Sequence, residues 1–284
     1  MHHRTESPVT KGLAPDLRSK DSHGIAAELS PVWEGNDVEA VRNLRKDSGK
    51  EVAIVLPVYN EEENIRATVE EIHENGISWD IIAVDDGSTD RSRELLDSLP
   101  VTVIAHPVNL GYGAAVQTGI RHAVAEGYGT VVLMDADGQH IPSEIPNLLA
   151  ALDKGADIVI GSRLLGESPG YRIPFLRRIG IWFFSVLAKT LGGTRIHDVT
   201  SGFQAMRRNV ARFLAEQYPV DFPDAEVIIS LALKKFLIAE VPARFREREH
   251  GNSMYSNPVR AFYYPFKSFM ASFIVLLRLI RERK

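Results

Sequence analysis

From Glu51 onward, short aliphatic runs alternate with amphipathic stretches, and that alternation sets the expected fold. Residues 52–56 are apolar at every position, as in a strand buried on both faces, and Pro57 is expected to end the strand. Asn60-Glu61-Glu62-Glu63 then reads as the capped, acidic opening of a helix to about residue 73. The same pattern places further strands at 80–84, 101–105, 130–134 and 157–160. Helices are expected from the Asp90 turn to about residue 96, over 113–125 and over 142–152. Strands alternating with helices predict an α/β fold with a mostly parallel central sheet flanked by helices. Before residue 49, Pro8, Gly12, Pro15, Ser19 and Ser22 break any periodicity, so 1–48 reads as a tail with at most a weak helix over 25–44.

Past Gly166 the texture changes. Residues 179–188 and 268–277 are apolar and aromatic, and basic residues flank both runs (Arg177, Arg178 and Lys189; Lys267 and Arg278). Each run is ten residues long, half of the roughly 20 needed to cross a bilayer. They read either as buried core helices or as amphipathic helices lying in a membrane interface. The chain is then expected to divide into a tail (1–48), one catalytic-type domain (49–256) and a C-terminal amphipathic helix (257–284).

Composition adds bounds. With 284 residues, 44% of them hydrophobic, the chain has ample core for one large domain or two tightly joined halves. The absence of cysteine excludes a disulfide framework and a thiolate zinc site, and fits a reducing compartment. The first 50 residues are polar, without the apolar core of a signal peptide. Charge changes the picture more. Residues 1–169 carry 14 Lys and Arg against 28 Asp and Glu, a net −14, whereas residues 170–284 carry 19 against 9, a net +10. An acidic half joined to a basic half suits a polyanionic substrate, an anionic acceptor or a membrane surface. Chance clustering on solvated faces is the bland alternative.

The chemistry gathers where strands end. Asp135-Ala136-Asp137 follows directly on the fourth apolar run, and the carboxyl ends of such strands are where open α/β sheets place ligands. Two aspartates so close call for a cation between them. A divalent ion such as Mg²⁺ or Mn²⁺, completed by substrate phosphates, is the obvious choice and points to a sugar nucleotide or another diphosphate. A solvated acidic turn is the alternative. Gln139 and His140 stand beside the pair, His140 reading alone as a surface histidine more readily than as a ligand. After the first strand, Tyr59 could stack on a base, with Asn60 and Glu61 as hydrogen-bonding neighbours or simply as a helix cap. Asp85 and Asp86, after the second strand, could bind a ring N–H or a ribose hydroxyl. Gly111, in the loop 109–113, opens a helix where backbone N–H groups could approach phosphate. Val116 stands where a dinucleotide fingerprint needs its third glycine. Arg163, after Gly161-Ser162, is a further phosphate candidate, or else a surface charge.

Taken together, these turns resemble the family 2 glycosyltransferases, over about residues 51–256. The resemblance implies the nucleotide-diphospho-sugar transferase fold called GT-A, with a nucleotide-binding half (51–165) and an acceptor half (166–256). It implies that Pro57, Tyr59, Glu61 and Asp86 contact the nucleoside, with Asn60, Asp85, Gly111, Ala136 and Gln139 beside them. It also implies that Asp135 and Asp137 hold the metal on the diphosphate. The segment Asp198-Val199-Thr200-Ser201-Gly202-Phe203 resembles one found in polyprenyl-phosphate sugar synthases such as the dolichol-phosphate mannose synthases. Arg248-Glu249-His250-Gly251-Asn252-Ser253 resembles their Arg-x-x-Gly-x-Ser motif. These motifs imply phosphate or acceptor contacts at Asp198, Thr200, Ser201, Arg248 and Ser253. Two departures stand out. Tyr112 occupies the place where a lysine usually follows the first glycine of the loop, and no transmembrane tail of the kind many bacterial relatives carry is present.

The expected reaction is an inverting transfer of a hexose, mannose or glucose favoured, from a GDP- or UDP-linked donor to a polyprenyl phosphate. The resemblance places it at the inner face of the cytoplasmic membrane, with no nucleic acid as partner and homodimerisation open. Asp137 and Arg248 carry the expected catalytic roles. A lipid phosphate, with a second pKa of about 6, is already anionic and needs cations more than a base. Arg172, Arg177, Arg178, Arg195 and Arg248 could supply them. A glycan hydroxyl would instead need a base, for which Asp224 and Glu226 are the candidates, unless they are merely the acidic start of a helix. A non-catalytic binding protein of the same fold is the third reading.

Overall fold

The run at 52–56 is buried at every position, which only a strand covered on both faces achieves. The computed structural model describes residues 51–75, 79–165, 175–193, 195–219 and 223–247. The expected tail, the 268–277 run and the C-terminal helix over 257–284 lie outside them. The described strands are β1 (Val52–Val58), β2 (Asp80–Asp85), β3 (Thr102–Ala105), β4 (Thr130–Leu133), β5 (Ile158–Ser162), β6 (Gln204–Arg207) and β7 (Ile238–Pro242). They form one seven-stranded sheet in the order β3-β2-β1-β4-β6-β5-β7. All described neighbours pair in parallel except at β6, which runs antiparallel to both β4 and β5.

Helices cover both faces. On one side Ala53, Val55, Ile82, Val84, Val131 and Leu133 pack against α3 (Tyr112–Glu126), α6 (Arg208–Gln217) and α7 (Pro223–Leu233). On the other, Ile54, Leu56, Val132 and Phe203 meet α1 (Ile65–Glu74), α2 (Ser92–Asp97) and α4 (Ile145–Asp153). The odd and even positions of β1 therefore serve opposite cores, as strand pleating requires. α5 (Phe175–Gly192) lies on the first side, where it buries Ile181 and Ala188.

Three details depart from the expected boundaries. β1 runs through Pro57 to Val58. Val55 accepts the Met134 N–H at 3.1 Å, so Pro57, two residues on, faces the same neighbour, and the β4 register ends at Val55. The missing proline N–H removes no ladder bond. α1 begins at Ile65 without a side-chain cap, and Asn60 instead adopts a left-handed φ of 56° in the turn before it. β6, α6 and β7 have no counterpart among the expected elements.

Because β6 is antiparallel, its N-terminal end lies at the carboxyl edge of the parallel strands. That brings 198–203 beside the end of β4, and buried charge anchors the segment. Arg163 donates to both Asp198 oxygens, at 2.7 and 2.6 Å, and to Thr200 Oγ1 at 2.8 Å. The Asp198 side chain is fully buried. Its own N–H donates to Glu240 Oε1 of β7 at 2.8 Å, and the His197 N–H reaches Oε2 at 2.8 Å. Burial alone would raise the Asp198 pKa, but the Arg163 guanidinium overcomes it and holds the carboxyl below its ordinary value.

Two predictions follow from this packing. A Cβ at Gly119 of α3 would stand 2.3 Å from Val55 Cγ1. Gly119→Ala gains up to about 1 kcal/mol of helix propensity but overpacks the helix–sheet contact by about 1–3 kcal/mol. Urea unfolding should show a net loss; an unchanged or raised midpoint would refute this close packing. The depressed Asp198 pKa contributes stability that is present above its unfolded value of 3.8 and is lost as pH falls through the folded one. Asp198→Asn should be less stable by about 3–5 kcal/mol at neutral pH. It should also lose stability less steeply than wild type below about pH 4. Parallel acid limbs for the two proteins would show that this pair does not set the slope.

Candidate active site

The turns after β1 and β2 are stitched into one rim. The Asn60 N–H donates to Ser88 Oγ at 3.1 Å, while Asn60 Oδ1 accepts the Thr89 N–H at 2.8 Å. The Glu61 N–H reaches Ser92 Oγ at 2.7 Å, and the Glu62 N–H reaches Asp90 Oδ2 at 3.1 Å. Glu61 Oε2 accepts from the Asn64 amide at 2.7 Å. Tyr59 stands out from this rim 45% exposed, a ring available for stacking, beside the partly exposed Pro57. Gly87, with φ of 68°, lies where a Cβ would meet the Val108 carbonyl carbon at 2.6 Å, so the β2 turn and the loop after β3 touch backbone to backbone.

The two aspartates after β2 face inward. Asp85 Oδ1 accepts the Ser88 N–H at 3.0 Å. Asp86 is almost fully buried, and its oxygens accept the Leu110 N–H at 2.9 Å and the Gly111 N–H at 2.8 Å. His106 Nδ1 lies 2.7 Å from the same carboxylate. The amides of Leu110 and Gly111 in this loop are turned onto Asp86. Asp86 itself, expected against the nucleoside, fastens the glycine loop and so fixes where α3 begins. His106 carried no motif that could have flagged it.

The Asp-x-Asp turn follows β4 at the carboxyl edge and is partly open to solvent. Asp135 is 32% exposed at its side chain and Asp137 is partly exposed, whereas the Ala136 methyl is buried and its carbonyl accepts from Thr68 Oγ1 at 3.4 Å. Asp137 Oδ1 accepts the Gln139 N–H at 3.0 Å. Tyr112 Oη donates to Asp135 Oδ1 at 2.9 Å. The Asp135 N–H donates to His140 Nδ1 at 2.9 Å, and His140 Nε2 lies 3.6 Å from Asp135 Oδ2. Gly202 closes in as well, since a Cβ there would be 3.0 Å from the Tyr112 oxygen and 3.2 Å from Asp135 Oδ2.

His140 is not the surface histidine its sequence context suggests. It is buried, stacked on Phe203 with centroids 4.9 Å apart, and met edge-on by Phe245 at 5.2 Å. Burial pushes its pKa down to about 4 against the opposing pull of Asp137 and Asp198, with Arg163 adding to the fall. The ring is neutral at pH 7. Accepting at Nδ1 leaves its proton on Nε2, toward Asp135.

Among the described residues no set of three or more His, Cys, Asp or Glu side chains is arranged to hold a metal alone. That fits the hard-cation class, in which one or two carboxylates share the ion with substrate phosphates. Asp135 and Asp137 offer that partly exposed oxygen pair.

The second half departs from expectation at several positions. Arg163, expected to meet phosphate, is only 6% exposed at its side chain and holds Asp198 and Thr200. Its guanidinium also lies over the Phe245 ring, 5.7 Å from the centroid. Asp198 and Ser201 are buried and Thr200 is partly buried; Ser201 donates to the Gly161 carbonyl at 2.6 Å. Asp224 stands in the first turn of α7 and Glu226 is half-buried in the same helix. Arg195 and Arg178 are exposed, while Arg172, Arg248 and Ser253 lie outside the described residues. Past β7 the chain runs along the Asp-x-Asp turn, with a His140–Phe245 bridge and the Arg246 N–H on the Gln139 carbonyl at 2.9 Å. Sequence reading missed both Glu240, which interrupts the apolar pattern at the centre of β7, and Phe245, which lies past the end of that strand.

The comparisons agree with this geometry. The family described as Glycosyl transferase family 2 matches residues 53–214. A polyprenol monophosphomannose synthase of Mycolicibacterium smegmatis is 34% identical, covering 78% of this chain and 85% of its own. An undecaprenyl-phosphate mannosyltransferase of Micrococcus luteus is 31% identical, over 73% and 88% of the two chains. Among solved structures, the glucosyl-3-phosphoglycerate synthase of Mycobacterium tuberculosis in complex with Mn²⁺, UDP and glucosyl-3-phosphoglycerate superposes with a TM-score of 0.61. It is 20% identical and covers 86% of this chain and 84% of that one. The sheet, the acidic turn at its carboxyl edge and the family match together make this chain a member of glycosyl transferase family 2, a glycosyltransferase of the GT-A fold.

Proposed function

We propose that this enzyme moves a hexose, mannose or glucose favoured, from a GDP- or UDP-linked donor to a polyprenyl phosphate at a membrane surface, with inversion at the anomeric carbon. The observation that carries the reading is the Asp135-x-Asp137 turn, braced at the carboxyl edge and partly open to solvent. The relatives named as polyprenol- and undecaprenyl-phosphate mannosyltransferases supply the acceptor class. Asp135 and Asp137 would hold Mg²⁺ or Mn²⁺, a Lewis acid that offsets charge developing on the departing diphosphate. Tyr59 offers its exposed ring to the base. Arg248, from its motif, is proposed to grip phosphate as a permanently charged fork.

A lipid phosphate attacks as an anion and needs orientation by cations rather than a general base. α5 offers a place for its lipid. Trp182 is 67% exposed, Phe183 37% and Val186 41%, with exposed Arg178 and Lys189 on the same helix. Apolar and aromatic side chains beside cations suit the boundary of an anionic bilayer. No helix among the described residues is long and apolar enough to cross a membrane, so the reading is of a peripheral enzyme, placed on the cytoplasmic face.

Label from a panel of GDP- and UDP-sugars should enter the organic phase with a C55 polyprenyl phosphate acceptor. Asp135→Ala and Asp137→Ala should each cut that transfer at least about 100-fold, about 2.7 kcal/mol. Full activity in both variants would sink the metal role, and label moving only to a soluble glycan would replace the acceptor. The double change Trp182→Ser with Phe183→Ser should weaken binding to anionic vesicles more than about tenfold. Unaltered vesicle binding would take α5 out of the membrane contact.

A further inference from the structure

Tyr112 occupies an unusual junction. It is the first residue of α3, directly after Gly111, whose N–H is held by Asp86 at 2.8 Å. The helix start is thus pinned to the end of β2. From that fixed origin the phenol crosses the end of β1 and donates to Asp135 Oδ1, at the end of β4, at 2.9 Å. The ring is partly buried against the core that α3 covers, which restricts its swing. From the opposite side, Gly202 comes so near that a Cβ would sit 3.0 Å from the phenol oxygen. His140 meets the other carboxylate oxygen at 3.6 Å. The Asp135 carboxylate thus takes a directed hydrogen bond from Tyr112, with His140 and Gly202 packed close beside it.

We infer that Tyr112 is a positioning residue: its hydroxyl fixes the Asp135 carboxylate in the orientation that binds a divalent cation, and couples that carboxylate to the glycine loop. The inference rests on the metal role given to Asp135 above. A partner that orients a ligating carboxylate contributes to metal affinity without touching the ion, and losing one commonly weakens binding about 10–100-fold. A phenol does this differently from an ammonium group. It donates one directed hydrogen bond and leaves the carboxylate its full negative charge, so it orients Asp135 without competing electrostatically with the cation. The coupling follows from geometry, because any displacement of the Asp86-bound loop moves the origin of the Tyr112 side chain and hence the bond to Asp135.

The test is equilibrium Mn²⁺ binding to the full chain in the presence of UDP or GDP, read by electron paramagnetic resonance. Tyr112→Phe keeps the ring and removes only the donor. It should weaken Mn²⁺ binding about 10–100-fold while its metal-free thermal midpoint falls by no more than about 4 °C. Gly202→Ala tests the same contact from another element. Gly202 lies outside the left-handed region, so alanine is tolerated by the backbone, and its methyl displaces the phenol–carboxylate pair. It should weaken Mn²⁺ binding in the same direction. Wild-type Mn²⁺ affinity in Tyr112→Phe overturns the inference, as does a loss that merely tracks the unfolded fraction. A wild-type protein that takes up no Mn²⁺ with either nucleotide overturns the metal reading beneath it instead.

Discussion

One strand running the wrong way organises this site. In an all-parallel sheet, a segment that precedes a strand arrives at the edge away from the ligands. β6 is antiparallel to β4 and β5, so the segment before it arrives at the carboxyl edge, with Leu133 paired to Gln204. Gly202 and Phe203 are thereby set against Asp135 and His140. The bidentate Arg163–Asp198 pair and the Glu240 carboxylate then anchor that segment to β5 and β7. A buried charge cluster of this kind adds little stability over an apolar replacement but is costly to break singly. Its effect here is geometric: it leaves the 198–203 segment one low-energy path past the Asp135-x-Asp137 turn.

The first half of the fold was legible because parallel strands buried on both faces are unbroken apolar words, and β1, β2 and β4 read that way. The second half was not. β6 is four residues long and begins with Gln204 and ends with Arg207, while β7 carries Glu240 at its centre. Two of these polar residues have tertiary partners that the local pattern does not contain: Arg207 caps the Ala156 carbonyl at 3.0 Å, and Glu240 accepts the two amides at 197 and 198. Asn60 illustrates the same limit on a smaller scale. Its cap-like context was visible, but its left-handed backbone follows from bonds to residues 88 and 89.

The site was legible in the sequence as a set of turns, while the partners of its side chains were not. Asp135 and Asp137 are partly exposed, as a metal site demands. Asp86, Arg163, Asp198 and Ser201 look equally functional in the sequence, yet the fold turns them inward onto one another and onto backbone amides. Charged residues near a site divide into those that meet the ligand and those that hold the frame, and sequence spacing alone does not separate the two. Burial and partner lists do. By the same measure the quiet residues gain weight: His140, Phe203 and Phe245 form the aromatic floor under the acidic turn, and His106 sits in the Asp86 clamp.

The stitched rim has a dynamic consequence. Residues 60–62 and 88–92 exchange backbone-to-side-chain hydrogen bonds in both directions, and the latter turn is close-packed through Gly87 on residues 108 and 109. Neither turn can open without breaking bonds of the other, so the three loops share one opening free energy rather than three. The rim that these loops form is then a single cooperative plate. A plate of that kind stays rigid as a unit on any timescale shorter than its cooperative opening.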